Sequence, residues 1–273
     1  MKLGFIGTGN MGSALIQAFV ESNAVWPENV HIMNRSTDKA LQLKERIRGI
    51  HVEETSESVI QKTDVHFICV KPLDMLQVIR DITPFLRPTS ILISITSPVS
   101  TADIEEIVPC SVARVIPSIT NRACAGLSLV TYGERCDNRA KEKLKRLLQH
   151  ISQPVCIEEN VTRVSSDIAC CGPAFISFLL QKMCTAAVEE TEITKEEAVK
   201  LTTSMIIGLG KLLEENVYTL ETLQEKVTVK GGITGVALEA LEEGVGDTFS
   251  EVFRRTHEKY AVEKAHISKE KVK

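Results

Sequence analysis

The chain has 273 residues, 43% of them hydrophobic and 25% charged, and a net charge of −4 at neutral pH. That length supports two domains with cores of their own, and the slight acidity gives no general attraction to nucleic acid or anionic lipid. No apolar run reads as long enough to span a bilayer. Met1-Lys2 leads into a glycine-containing strand rather than an apolar leader with a cleavage site, so the sequence reads as cytoplasmic.

The first element is an apolar strand, Leu3 to Ile6, which runs straight into Gly7-Thr8-Gly9-Asn10-Met11-Gly12. A helix follows at once, with Ala14, Leu15, Ala18 and Phe19 at helical spacing. A G-x-G-x-x-G turn between strand and helix is the fingerprint of a dinucleotide site. Gly7 permits the tight turn, Gly9 lets the backbone approach a pyrophosphate, and Gly12 lets helix pack on strand. The amides that open the helix lack internal partners and favour an anion.

Val30 to Met33 is a second strand, followed by Asn34-Arg35-Ser36-Thr37 with no carboxylate before Asp38. An acidic residue here selects NAD, whereas a basic one accommodates the 2′-phosphate of NADP. Arg35, assisted by Ser36 and Thr37, therefore points to NADPH, with NADH still possible. Lys39 to Ile47 reads as a helix, and Val65 to Val70 as a strand covered on both faces. Val70-Lys71-Pro72 then reads either as a nucleotide contact or as a strand ended by Pro72 with Lys71 exposed. Ile91 to Ile95, Ser111 to Ile116 and Leu127 to Thr131 are further strands, Asp137 to Gln149 a helix and Pro154 to Ile157 a last strand. Alternation of this kind predicts an α/β domain over residues 1–157, a Rossmann-like, mostly parallel sheet with helices on both faces.

From about Val161 strand signals vanish. Ala174 to Glu190, Glu196 to Glu214, Thr234 to Glu243 and Thr248 to Lys264 read as helices. The first is apolar on nearly every side, and such a helix must be covered all round. Residues 158–273 are therefore expected to form an all-helical dimerisation domain covered by a second copy, giving a homodimer or a higher homo-oligomer. His266 to Lys273 reads as a frayed polar end. Of the eight cysteines no two form a C-x-x-C pair, and no histidine lies at metal-ligand spacing. They are expected to be buried free thiols, with no metal site.

Several stretches together resemble the pyrroline-5-carboxylate reductases, which reduce a cyclic imine to L-proline with NAD(P)H. These are Gly4 to Met11, Asn34-Arg35-Ser36, Val70-Lys71-Pro72, Arg114-Val115-Ile116-Pro117, Gly172-Pro173-Ala174-Phe175 and Val227 to Thr234. The resemblance implies a dinucleotide domain followed by an interlocked helical dimerisation domain. It implies an imino-acid substrate whose carboxylate meets the backbone N–H groups of Gly231, Gly232 and Ile233, beside Lys230. Thr234 would place its hydroxyl against the ring nitrogen; as a residue in its own right it also reads as a helix N-cap. The chain departs from the family's pattern at Ser118-Ile119-Thr120-Asn121, Cys170-Cys171, Val229-Lys230 with Ile233, and Phe175. Two readings follow: a working reductase of this or a related cyclic imine, or a catalytically weak or inactive dinucleotide-binding dimer with a regulatory role.

Overall fold

The computed structural model describes residues 1–270. It divides into two compact units: Met1–Pro173 joined by the chain's end from Arg255 onward, and Ala174–Arg254. The first unit holds eight strands: β1 (Leu3–Ile6), β2 (Val30–Met33), β3 (His51–Val52), β4 (Val65–Ile68), β5 (Ile91–Ser94), β6 (Ser111–Pro117), β7 (Leu127–Tyr132) and β8 (Gln153–Cys156). They form one sheet in the order β3-β2-β1-β4-β5-β6-β7-β8, parallel throughout except for the β6–β7 pair. The sequence reading missed β3, whose two residues are too few to show a period.

Strand residues alternate between two cores. Leu3, Phe5, Val30, Ile32 and Phe67 pack with Leu15, Ile16 and Phe19 of α1 (Asn10–Glu21) on one face. The Phe5 and Phe67 rings stack with centroids 4.8 Å apart. Ile6, Ile68, Leu92 and Val112 pack on the other face against α3 (Ser56–Lys62), α4 (Pro72–Ile82) and α5 (Thr101–Glu105). The expected second helix is α2 (Thr37–Arg46), and α6 (Asn138–Gln149) starts where Asp137 caps the Ala140 N–H.

His66 on β4 is fully buried and hydrogen-bonds through Nδ1 to Thr63 Oγ1 at 2.9 Å. Burial, then the nearby Arg87 charge, lowers its pKa to about 4. The neutral ring is the folded form, so its contribution is complete above pH 6.5 and is lost as pH falls from 6.5 to about 4. That loss amounts to about 3 kcal/mol. Denaturant unfolding of wild type and His66→Leu should therefore diverge across this window, with the flatter profile in the variant.

The helical elements are α7 (Thr162–Ser166), a π-helical turn (Asp167–Cys171), α8 (Gly172–Glu190), α9 (Lys195–Glu214), α10 (Leu220–Val227), α11 (Ile233–Val245) and α12 (Thr248–Glu270). α10 has no counterpart in the sequence reading. The expected frayed end is corrected as far as Glu270: α12 continues through it and Ile267 is 2% exposed in the core of the first unit. One apolar side chain anchors a segment that composition marked as polar; residues 271–273 lie outside the described residues. Between Ala174 and Arg254 the only buried hydrophobic residues among those described are Cys184 and Ala198. Phe178, Leu201, Ile207, Leu220, Val236 and Leu241 are exposed. A groove of about 620 Å³ between α8 and α9 is lined by Cys184, Val188, Val199, Thr202 and Ile206.

The helical run Glu159–Glu190 is long and apolar enough, by length and composition, to cross a membrane. That corrects the expectation that no run would be: α7, the π turn and α8 join into one helix longer than the apolar stretch read from sequence. The cysteines also depart from expectation. All are free, but only Cys110, Cys136 and Cys184 are buried, while Cys124 and Cys156 are exposed.

Candidate active site

The order β2-β1-β4 reverses direction in sequence at β1, and the crevice outside the carboxyl ends of β1 and β4 is where such sheets bind ligands. Gly7 sits there with φ +100, and a Cβ on it would lie 2.5 Å from the Cys69 carbonyl oxygen. Its N–H donates to the Met33 carbonyl at 2.8 Å, which ties the turn to the end of β2. A Cβ on Gly12 would lie 2.4 Å from the Gly7 carbonyl oxygen, so α1 rests directly on the turn. A Cβ on Gly9 would meet nothing within 4 Å. Gly9 caps α1 without a side-chain hydrogen bond, and the first turn carries no acidic residue. The opening amides thus face open space with their partial positive charge uncompensated.

The neighbouring segments converge on this turn. Asn34 Oδ1 accepts from the Thr8 N–H at 3.0 Å, and its Nδ2 donates to the Ser36 carbonyl at 2.9 Å. Asn34 is therefore a brace between the glycine turn and the Arg35 loop, a role its position in sequence did not reveal. Arg35 and Ser36 are exposed. The Ser13 hydroxyl donates to the Thr8 carbonyl at 2.9 Å, and the buried Thr8 Oγ1 has no protein partner. Met11 is half-buried and Asn10 exposed in the first turn of α1. Val70 is half-buried, Lys71 is an exposed N-cap, and Pro72 is the first residue of α4. Pro72 thus opens a helix rather than ending a strand: β4 already stops at Ile68, and the fixed φ of proline suits the first helical position.

These features fit a dinucleotide. Gly9 leaves room for a pyrophosphate, the α1 amides and dipole attract it, and Thr8 Oγ1 is an unused buried polar atom beside it.

In the second unit Gly231 has φ +74, and the Gly232 N–H donates to the Val229 carbonyl at 2.9 Å. Gly232 is the N-cap of α11, so Thr234 is its second residue rather than the cap. The Gly232 amide closes the turn, and the first amides of α11, from Ile233 and Thr234, are those without intrahelical partners. Ile233 is 90% exposed, Lys230 is exposed and Thr234 half-buried.

A polar cluster that sequence reading missed lies at the carboxyl end of β5 and the middle of β6. Arg114 is fully buried and donates to the Ser97 carbonyl (3.1 Å), Thr131 Oγ1 (3.0 Å) and Thr162 Oγ1 (2.7 Å), and pairs with Glu159 at 2.7 Å. Arg163 pairs with the buried Asp167 at 2.8 Å, and Asp167 also accepts from Thr256 at 2.7 Å. The Tyr260 hydroxyl donates to the Ser97 carbonyl at 3.0 Å. Cys170 Sγ lies 3.7 Å from the Ile116 carbonyl, and burial pushes its thiol up to about 12. It is a neutral thiol at physiological pH.

Comparison with known proteins agrees with this architecture. The family model "Pyrroline-5-carboxylate reductase dimerisation" matches residues 159–262, and "NADP oxidoreductase coenzyme F420-dependent" matches residues 2–98. ComE operon protein 4 of Bacillus subtilis is 53% identical over 99% of both chains. Pyrroline-5-carboxylate reductase 3 of the same organism is 29% identical over 98% of this chain and 99% of its own. Among solved structures, a pyrroline-5-carboxylate reductase from Coxiella burnetii superposes with a TM-score of 0.80 at 25% identity, covering 98% of this chain and 97% of the other. The Plasmodium falciparum pyrroline carboxylate reductase with NADP bound gives 0.83 at 22% identity, covering 98% of each. The exposed apolar faces of α8 and α9 fall within the matched dimerisation segment. With a pyrroline-5-carboxylate reductase matching over 98% of its length and that family's dimerisation model over residues 159–262, the chain belongs to the pyrroline-5-carboxylate reductase family.

Proposed function

We propose that this protein is an NAD(P)H-dependent reductase of 1-pyrroline-5-carboxylate, or of a related cyclic imine, working as a homodimer or a larger homo-oligomer. Residues 1–157 would hold the cofactor, with NADPH preferred through Arg35 and Ser36, and residues 158–273 would hold the substrate and the second copy. The observation that carries this reading is the glycine turn: an uncapped α1 N-terminus over open space, braced by Asn34, at the switch point of the sheet. The dimer is supported by the helical unit, whose apolar side chains are exposed in the single chain and which buries almost none of them itself. An exposed apolar surface of that extent calls for a partner.

When bound, the nicotinamide supplies the hydride. The chain's own residues would bind, orient and exclude water. The α11 amides would hold the substrate carboxylate at a helix N-terminus. The Thr234 hydroxyl, on the second residue of the same helix, would meet the ring nitrogen and fix the electrophilic carbon. Orientation of two reactants can supply about 7–11 kcal/mol of barrier lowering without a dedicated acid or base. The test is NADPH oxidation in the presence of pyrroline-5-carboxylate. Thr234→Ala should lower kcat/KM about fivefold to 150-fold, from the loss of about 1–3 kcal/mol of transition-state binding. Unchanged kcat/KM would remove Thr234 from the site.

A second reading, a dinucleotide-binding dimer that turns over no imine, is favoured by the substrate half. There the chain departs from the family's pattern at Val229-Lys230, Ile233 and Cys170-Cys171, and Ile233 is 90% exposed. Tight NADPH binding without turnover of any cyclic imine would select it.

A further inference from the structure

The cofactor reading leaves the cluster around Ser97 without a role, and the sheet order supplies one. The Arg35 loop lies at the end of β2 and the glycine turn at the end of β1. A dinucleotide anchored at both runs on across β4 toward β5. Strands about 4.8 Å apart place β5 about 14 Å from β2. The far, redox-active end of the cofactor therefore falls over residues 95–100, the loop that links β5 to α5.

That loop is gripped from three elements distant in sequence. The Ser97 carbonyl accepts from Arg114 Nη1 at 3.1 Å and from the Tyr260 hydroxyl at 3.0 Å. Ser97 Oγ accepts from Arg163 Nη1 at 3.4 Å. Arg163 lies 5.7 Å from the centre of the Tyr260 ring, and Lys264 lies over the same ring at 5.5 Å. Pro98 and Val99 are buried beside Ser97, while Thr96 and Ser97 remain half-buried at the carboxyl edge. The Ser94 and Thr96 hydroxyls lie 3.3 Å apart, which adds a local bond within the loop.

We propose that Tyr260, with Arg163, is a positioning residue for the nicotinamide end of the cofactor, acting through Ser97. The last helix of the chain returns to the dinucleotide unit and holds the β5–α5 loop in the shape that receives the ring. This rests on the dinucleotide reading above. Neither residue touches the adenosine end, so their effect is confined to the half of the ligand beyond the pyrophosphate.

The test compares two probes on the full-length protein: NADPH, and 2′-phospho-ADP-ribose, which lacks the nicotinamide. Tyr260→Phe removes one donor to Ser97 and keeps the ring between Arg163 and Lys264. The NADPH Kd should rise about fivefold while the Kd of the fragment stays unchanged. Arg163→Lys, which keeps the charge but loses the fork that reaches Ser97, should move the ratio the same way. If both ligands weaken equally, the residues are merely structural and the proposal is overturned. An unchanged ratio in both variants overturns it while leaving the dinucleotide reading intact. A parent protein that binds neither probe overturns the dinucleotide reading and this inference together.

Discussion

Gly9→Ala should leave thermal stability unchanged while weakening NADPH binding about 100-fold, and Gly12→Ala should lose both. The two glycines differ in what a methyl group would meet. At Gly9 there is nothing within 4 Å, and the extended backbone there (φ −68) suits alanine, so the small loss of capping is offset by the stiffer unfolded chain. The new methyl instead occupies the space at the start of α1 where a pyrophosphate would come within hydrogen-bond distance of the amides. At Gly12 the methyl would sit 2.4 Å from the Gly7 carbonyl oxygen and 3.1 Å from Cys69 Cβ. The backbone oxygen cannot rotate away, so α1 must lift off the turn. Overpacking of this kind costs about 1–3 kcal/mol. A shift of the helix by about 1 Å is also enough to misplace the anion site. Thermal melting and NADPH titration of the two variants separate the effects. Equal loss of stability in both would show that Gly9 is packed rather than open.

Arg114→Met should lower unfolding stability by about 1–3 kcal/mol, through loss of the donors that serve buried acceptors. Arg114 is fully buried on β6 and serves Ser97, Thr131, Thr162 and Glu159 at once. Its removal takes the donor from the Thr162 and Thr131 hydroxyls and leaves the Ser97 carbonyl with Tyr260 alone. Glue at this point joins β6, β7, the β5–α5 loop and α7. Glu159 is 42% exposed, so water takes over part of its lost pairing and the cost comes mainly from the buried partners. Arg114→Lys should fall between the two, because a single ammonium cannot reach all four acceptors. Denaturant unfolding reads all three proteins. A change under about 1 kcal/mol in Arg114→Met would mean that the network contributes nothing net.

The sequence alone was enough for most of the dinucleotide unit. Strands such as Leu3–Ile6 and Val30–Met33 are apolar at nearly every position, and the glycine turn between strand and helix has few structural alternatives. Local signals were present and went unused at α3, where Thr55 caps the Ser58 N–H, and at α4, where Pro72 is the first residue. Thr234 shows the limit of a local reading. Two glycines before a threonine looked like a threonine cap, yet Gly232 is the cap because the Gly232 N–H closes a turn on Val229.

Composition and period thus determined the alternating sheet, the glycine turn and the apolar excess of the second half, since each depends on neighbours within a few residues. Only the tertiary structure decided that Asn34 braces the turn, that Ile267 is a core residue, and that Ser97, Arg163 and Tyr260 meet. These partners lie tens of residues apart or more, and hydrogen bonds between such distant positions leave no period for a sequence to display.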